Sequence, residues 1–193
     1  GKILVKVATS FTSIDNARKN LAAEIPGWNF NEVRQASSDI WNQALGQIAV
    51  KGNNEKEKVK FYSALYNAHF LPRTFSDVDG SYPRFDGDGQ IMKMDHGTYY
   101  CDFSQWDTYR AVHPLFSILT PSRNGDMAHS LVLKGQQGGW LPIFPSWNSY
   151  TAAMIGDHCI AMIGDAIVKD TPGFDYEEAY TLMRKNAFEA NPD

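Results

Sequence analysis

The stretch His96–Arg110, HGTYYCDFSQWDTYR, packs five aromatic rings, two carboxylates, one histidine and one arginine into fifteen residues. Sugars lay apolar C–H faces on aromatic rings and offer hydroxyls to carboxylate and guanidinium groups, so a carbohydrate pocket needs both residue types close together. Trp106, Asp107 and Arg110 supply the ring, the carboxylate and the guanidinium. On a helix, Trp106 and Arg110 fall four apart on one face, with Asp107 beside them and three before Arg110. The competing reading is a buried aromatic cluster with one structural ion pair. A second candidate lies in Thr151–Lys169, where Met154, Ile155, Cys159, Met162, Ile163, Ala166 and Ile167 make an apolar stripe. Gly156, Asp157 and His158 interrupt it, so either a neighbouring helix approaches closely there or Asp157 and His158 face a pocket.

These groups need a helical frame, and the periodicity supplies one. Phe30, Val33, Ile40, Trp41, Ala44, Leu45 and Ile48 follow three- and four-residue steps, with Asn29 as N-cap after the Pro26–Gly27 break. A second helix is expected from about Asn54 to Phe70, ending before Pro72. Further helices are expected at Ser104–Val112, Gly125–Lys134 and Thr151–Lys169. A last one opens at Asp175, with Tyr180, Met183, Ala187 and Phe188 on its buried side. Between Phe75 and His96 the Asp-Gly pairs at 79–80, 86–87 and 88–89 predict a looped excursion with a hairpin. Ile3–Phe11 reads as a strand, yet no partner strand follows it, so it looks like the last strand of a sheet whose remainder is missing. About six helices joined by aromatic- and Gly-bearing loops describe a mainly α helical-hairpin array with pockets at the loop end.

Composition narrows the function. At 193 residues the chain can bury roughly 70% of its unfolded surface, and 43% hydrophobic residues with 21% charged place it among globular proteins. The net charge of −4, with the Lys56–Lys58–Lys60 cluster interleaved with Glu55 and Glu57, argues against nucleic acid as a partner. No apolar run reaches the roughly 18 residues of a membrane span. Cys101 and Cys159 read as free thiols, with one disulfide the alternative. Asp77, Asp79, Asp86 and Asp88 lack the EF-hand spacing and are explained by turn chemistry. The five histidines show no HExxH and no short paired spacing, so no zinc site is expected. There is neither a GxSxG nor a phosphate loop.

The segments KILVKVATSFTSIDNARKNL, FYSALYNAHFLP, SDVDGSY, FSQWDTYRAVHPL, GGWLP and MIGDHCIAMIGDAIVKD occur in an order that resembles the middle of glycoside hydrolase family 92, calcium-dependent exo-acting α-mannosidases. SQWDTYRAVHPL and MIGDHCIAMIGDA are the specific matches. The resemblance implies a β-sandwich followed by an (α/α)6 barrel. Residues 1–11 would end the sandwich, 12–50 would form a linker and the first long helix, and 51–193 would begin the catalytic barrel, truncated at its C-terminus. It implies that terminal α-linked mannose, α-1,2 in mannose-rich glycans, is removed with inversion, which takes an acid and a base carboxylate about 6.5–9.5 Å apart. The acid, the base and the calcium ligands would lie beyond Asp193, so catalytic and metal residues are expected to be absent from this chain. The missing sandwich and the other half of the barrel would be its partners. Trp106, Asp107, Arg110, Asp157 and His158 would remain as the wall holding the mannose, and the chain alone would be inactive. IFPSWNSYTAAMIGDH is more aromatic than many members at that point, which leaves the linkage open. Location outside the cytoplasm, secreted or periplasmic, is likewise implied only by the resemblance. A reading of a different class is a complete, non-catalytic helical module that binds a sugar or a protein through Tyr99–Arg110. Half a barrel would leave the faces of Phe30–Ile48 and Thr151–Lys169 incompletely covered, and a complete module would not.

Overall fold

Short polar side chains fix where the long helices begin. Ser13 accepts from the Asn16 amide ahead of α1 (Ile14–Glu24), Asn29 from Asn31 and Glu32 ahead of α2 (Phe30–Leu45), and Asn54 from Lys56 and Glu57 ahead of α3 (Glu55–Ala68). Asp175 does the same for α8 (Tyr176–Phe188), accepting from Glu177 and Glu178. Between them lie α4 (Gln105–Thr108), α5 (Val112–Leu119), α6 (Pro121–Gly138) and α7 (His158–Val168). The computed structural model describes residues 1–189, and over that range the chain is mainly helical, with eight helices.

The excursion after α3 contains the expected hairpin. β2 (Ser81–Pro83) pairs antiparallel with β3 (Ile91–Lys93), placing Tyr82 opposite Met92, while β1 (Arg73–Thr74) pairs antiparallel with β4 (Tyr100–Cys101). Tyr82 and Tyr99 stack at 3.9 Å under this layer, with Phe75, Met94 and Cys101 buried beside them. The main core lies where α5, α6, α7 and α8 meet, around Phe116, Met127, Leu131, Cys159, Met162, Ile163 and Leu182. Both cysteines are buried and free.

Several expectations are corrected. Ile3–Phe11 forms no ladder with any described residue, and the partner strands expected for it would lie outside this chain. Its far end is fastened by side chains instead, with Phe11 stacked on Phe75 at 3.9 Å. α1 was hidden in the expected linker because its helical face is polar, carrying Asn16 and Asn20 toward Asp77. The expected helix at Ser104–Val112 divides into α4 and α5 around Tyr109–Ala111. On α8 the buried residues are Ala179 and Leu182, whereas Tyr180 and Phe188 are exposed, so the face is turned by about one residue from that expected. The expectation of incomplete cover holds for α2, which buries none of its residues, and fails for α7, which buries Cys159, Met162, Ile163 and Ala166. α2 does contact α3, where Trp41 meets Tyr66 at 4.4 Å.

One cation lies inside the core. The ammonium of Lys134, fully buried on α6, donates to the Tyr100 carbonyl at 2.8 Å and sits 3.6 Å from the Tyr99 ring centre. Loss of hydration pulls its pKa down to about 7. The unfolded chain keeps that proton up to about pH 10.4, so between roughly pH 7 and 10 the unfolded state binds more protons and stability rises with pH. In urea unfolding, the wild type is therefore expected to gain stability from pH 7 to pH 9 relative to Lys134→Met. Equal pH dependence in the two proteins would refute a protonation change at Lys134.

Candidate functional site

The chain enters the site through Asp102, whose positive φ of 60° turns it from β4 toward α4. Buried Gln105 anchors the single turn of α4, and Trp106, Asp107 and Arg110 face outward. Arg110 lies just past the helix end, yet its guanidinium sits 4.8 Å from the Trp106 ring centre and 5.1 Å from that of Tyr109, while Nη2 donates to the Trp106 carbonyl at 3.2 Å. Cation–π contact with both rings holds the guanidinium in place and leaves its remaining donors for a ligand. Asp107 is exposed and accepts from the Ser104 hydroxyl through Oδ2, which leaves Oδ1 available to a ligand. Asp107 and Arg110 do not form an ion pair with each other among the described residues; the structural ion pair of this stretch is Asp102 with Arg73, beside the buried rings of Tyr99, Tyr100 and Phe103.

Asp157 and His158 do not sit in the middle of a helix. α7 starts at His158, and the preceding segment is irregular, with φ of 49° at Ala152, 67° at Met154 and 83° at Gly156. Glycine is required at 156: beyond the positive φ, a Cβ there would lie 2.8 Å from His158 Nε2. The apolar spacing of Met154 and Ile155 imitates one more helical turn, but both are exposed. The turn delivers the His158 ring onto Tyr109, stacked at 4.5 Å with 9° between planes, and this joins the two candidate groups through α4 and α7. Asp157 Oδ2 accepts from Asn186 at 3.2 Å and its Oδ1 is buried without a hydrogen-bond partner. Burial pushes its pKa upward against the lowering effect of the Asn186 bond.

The sequence reading left out Trp147. It sits in a tight turn bridged by Ser146 and Ser149, with φ of 53° at Trp147 and 59° at Asn148, and its indole is 76% exposed. Asp102 holds this turn against the entrance to α4: Oδ1 accepts from the Trp147 amide at 3.0 Å and Oδ2 meets Arg73 at 3.0 Å. Asn148 is pinned from within, donating to the Pro83 carbonyl and accepting from the Tyr99 hydroxyl. An exposed tryptophan on a backbone held in unfavourable dihedrals is the pattern of a positioned platform. The available signal was Trp-Asn between two serines, since Asn tolerates the left-handed region. A concave groove lies elsewhere, lined by Val7, Phe11, Leu21, Ile25, Phe75 and Asp77.

The carboxylates of the Asp-Gly-rich excursion do not converge on an oxygen cage of the kind calcium takes. Asp77 is occupied by side-chain donors, Asp79 by Lys19, and Asp86 accepts from Ser149.

The sequence profile of the Glycosyl hydrolase family 92 catalytic domain matches residues 16–193. The chain belongs to this family. Its fold is similar to that of a GH92 α-mannosidase from Bacteroides thetaiotaomicron, at 37% identity and a TM-score of 0.88 over 95% of this chain and 25% of that one. A GH92 inverting mannosidase of the same organism matches at 27% identity and a TM-score of 0.86, over 95% of this chain and 25% of its own. A secreted glycosidase of Arthroderma benhamiae is 26% identical over the whole of this chain, which covers 21% of that protein. The chain thus spans about a quarter or less of the length of these family 92 relatives.

Proposed function

We propose that the chain forms part of the sugar-holding wall of an exo-acting α-mannosidase that removes terminal α-1,2-linked mannose from mannose-rich glycans. The observation that carries this reading is the arrangement of Trp106, Tyr109 and Arg110: a guanidinium 4.8 and 5.1 Å from two ring centres, three residues after Asp107, whose carboxylate spends one oxygen on Ser104. Such a wall offers a sugar an apolar surface, a positive fork and a carboxylate at once. Asp157 and His158 extend it through the Tyr109 stack, and Trp147 adds a platform on the other side of Asp102. Family membership supplies the glycosidase chemistry, and one Bacteroides relative has been solved with mannoimidazole.

In this reading hydrolysis inverts the anomeric centre. An acid protonates the leaving oxygen while a base activates a water on the opposite face of the ring. Both groups, and a calcium ion, belong to residues outside 1–193, inside an (α/α)6 barrel of which these helices are one part. The chain's own residues bind and orient the terminal sugar, which contributes by holding the reacting carbon in line with the water. By analogy with the Arthroderma relative the protein acts outside the cell.

The test is mannose release from α-1,2-mannobiose by residues 1–193 alone and by a longer polypeptide that contains them, each with calcium and with a chelator. Calcium-dependent release by the longer protein and none from 1–193 is expected. Release by the chain alone, or release that survives chelation, overturns the corresponding part of the proposal.

A further inference from the structure

Away from the sugar wall, the turn after β3 meets α6 at a cluster whose residue types suit a different ligand. Asp95, His96 and His129 each bring one ligand-capable atom within 4.8 Å of the other two. The sequence spacing of the histidines argued against such a site because His96 and His129 lie on separate elements. Their approach depends on Gly97, with φ of 68°: a Cβ there would lie 2.2 Å from Asp126 Oδ1, so only glycine lets the turn settle on α6. Asp126 secures it by accepting from the Thr98 amide at 3.0 Å, and His96 then stacks on His129 at 4.7 Å with 16° between the rings.

We propose that Asp95, His96 and His129 bind a divalent transition-metal ion, with zinc as the fitting case, completed by water. Four observations support it. His96 Nε2 faces the Gly173 carbonyl at 3.1 Å. A carbonyl in that position accepts N–H from Nε2 and leaves Nδ1 with a lone pair, which is the usual outer-shell arrangement of a metal-bound histidine. Nδ1 in turn faces Asp95 Oδ1 at 3.0 Å, a contact that a ring proton fills in the free protein and that an ion bound to both atoms would replace. Two donors each about 2.0–2.2 Å from one ion stand roughly 3 Å apart, so the observed separation suits neighbouring ligands. His129 has its Nδ1 buried without a hydrogen-bond partner. Two imidazoles and one carboxylate favour zinc, copper or nickel and disfavour calcium or magnesium, which take oxygen donors. Asp95 and His96 are exposed, so the ion has a route in and room for a water.

The consequence is mechanical. An ion here would tie the excursion that leads to β4 and the sugar wall to α6, and, through Gly173, to the turn between α7 and α8. The site is independent of the mannosidase reading, because neither Asp95, His96 nor His129 touches the sugar wall.

The experiment is calorimetric titration of the full chain with zinc, with calcium in parallel, and thermal melts with and without zinc. One zinc per chain, no comparable calcium binding and a raised melting temperature are expected. His129→Ala and the exposed His96→Ala should each weaken zinc by at least about 100-fold and abolish the thermal shift, with far-UV spectra confirming folding. Cobalt in place of zinc should give visible absorption that both variants lose. Zinc affinity unchanged in both variants, or no zinc binding by the folded wild type, overturns the proposal.

Discussion

Asp107→Ala is expected to lower kcat/KM for an α-mannoside by about 10²–10³-fold in the intact enzyme, while its melting temperature stays within about 1–2 °C of the wild type. The separation of the two effects follows from where the carboxylate sits. Asp107 is exposed and makes one local bond, from Ser104, so removing it creates no cavity and strands no buried donor. Its second oxygen has no role in the fold, and in the proposed function it accepts a mannose hydroxyl beside the Arg110 fork. A charged acceptor lost from a sugar hydroxyl costs a few kcal/mol of transition-state binding, which sets the size of the expected loss. Asp107→Asn keeps the shape and half the acceptor capacity and should fall between. Steady-state kinetics on a mannobiose decide the matter: unchanged kcat/KM removes Asp107 from the site, and a collapse in melting temperature makes its role structural.

Where local chemistry decides structure, the sequence already showed it. Asn29 and Asp175 were readable as caps because a short polar side chain must satisfy the free amides of a helix start, and both do so. The Asp-Gly turns announced the β2–β3 hairpin for the same reason. Errors arose where spacing is ambiguous. Met154 and Ile155 keep helical periodicity with Cys159, but the left-handed residues before Asp157 start α7 only at His158. The candidate site divides the same way. Trp106, Asp107 and Arg110 are close in sequence, so their grouping was visible before the fold. The Tyr109–His158 stack, the Asp102–Trp147 clasp and the Asp95–His96–His129 cluster join residues from distant segments, and only tertiary packing brings them together.

The largest stability effect is expected at Asp77, where tertiary packing again does what local spacing could not announce. Its carboxylate accepts from Ser10 at 2.8 Å, from Thr12, from Asn16 at 3.2 Å and from Asn20 at 2.7 Å, so one buried acidic group ties the N-terminal segment and α1 to the excursion. Burial alone would raise its pKa, but the bonds from Thr12, Asn20, Ser10 and Asn16 together hold it below the usual carboxylate range. Asp77→Ala strands four donors at once and is expected to destabilise the chain by about 3 kcal/mol in urea unfolding. Asp77→Asn should not rescue it, because its amide turns an acceptor into a donor facing donors. A carboxylate with a lowered folded pKa contributes stability in full above the unfolded value near 4, and that contribution is lost as pH falls through the folded value. The wild type should therefore lose stability on acidification below about pH 4, and Asp77→Asn should lose less. Limited proteolysis gives the structural counterpart, with cleavage expected to rise within residues 7–12 in both variants, since this carboxylate anchors them together with the Asn20 bond to the Thr9 carbonyl and the Phe11–Phe75 stack. A change in unfolding free energy under about 0.5 kcal/mol would mean that Asp77 does not hold the N-terminal segment.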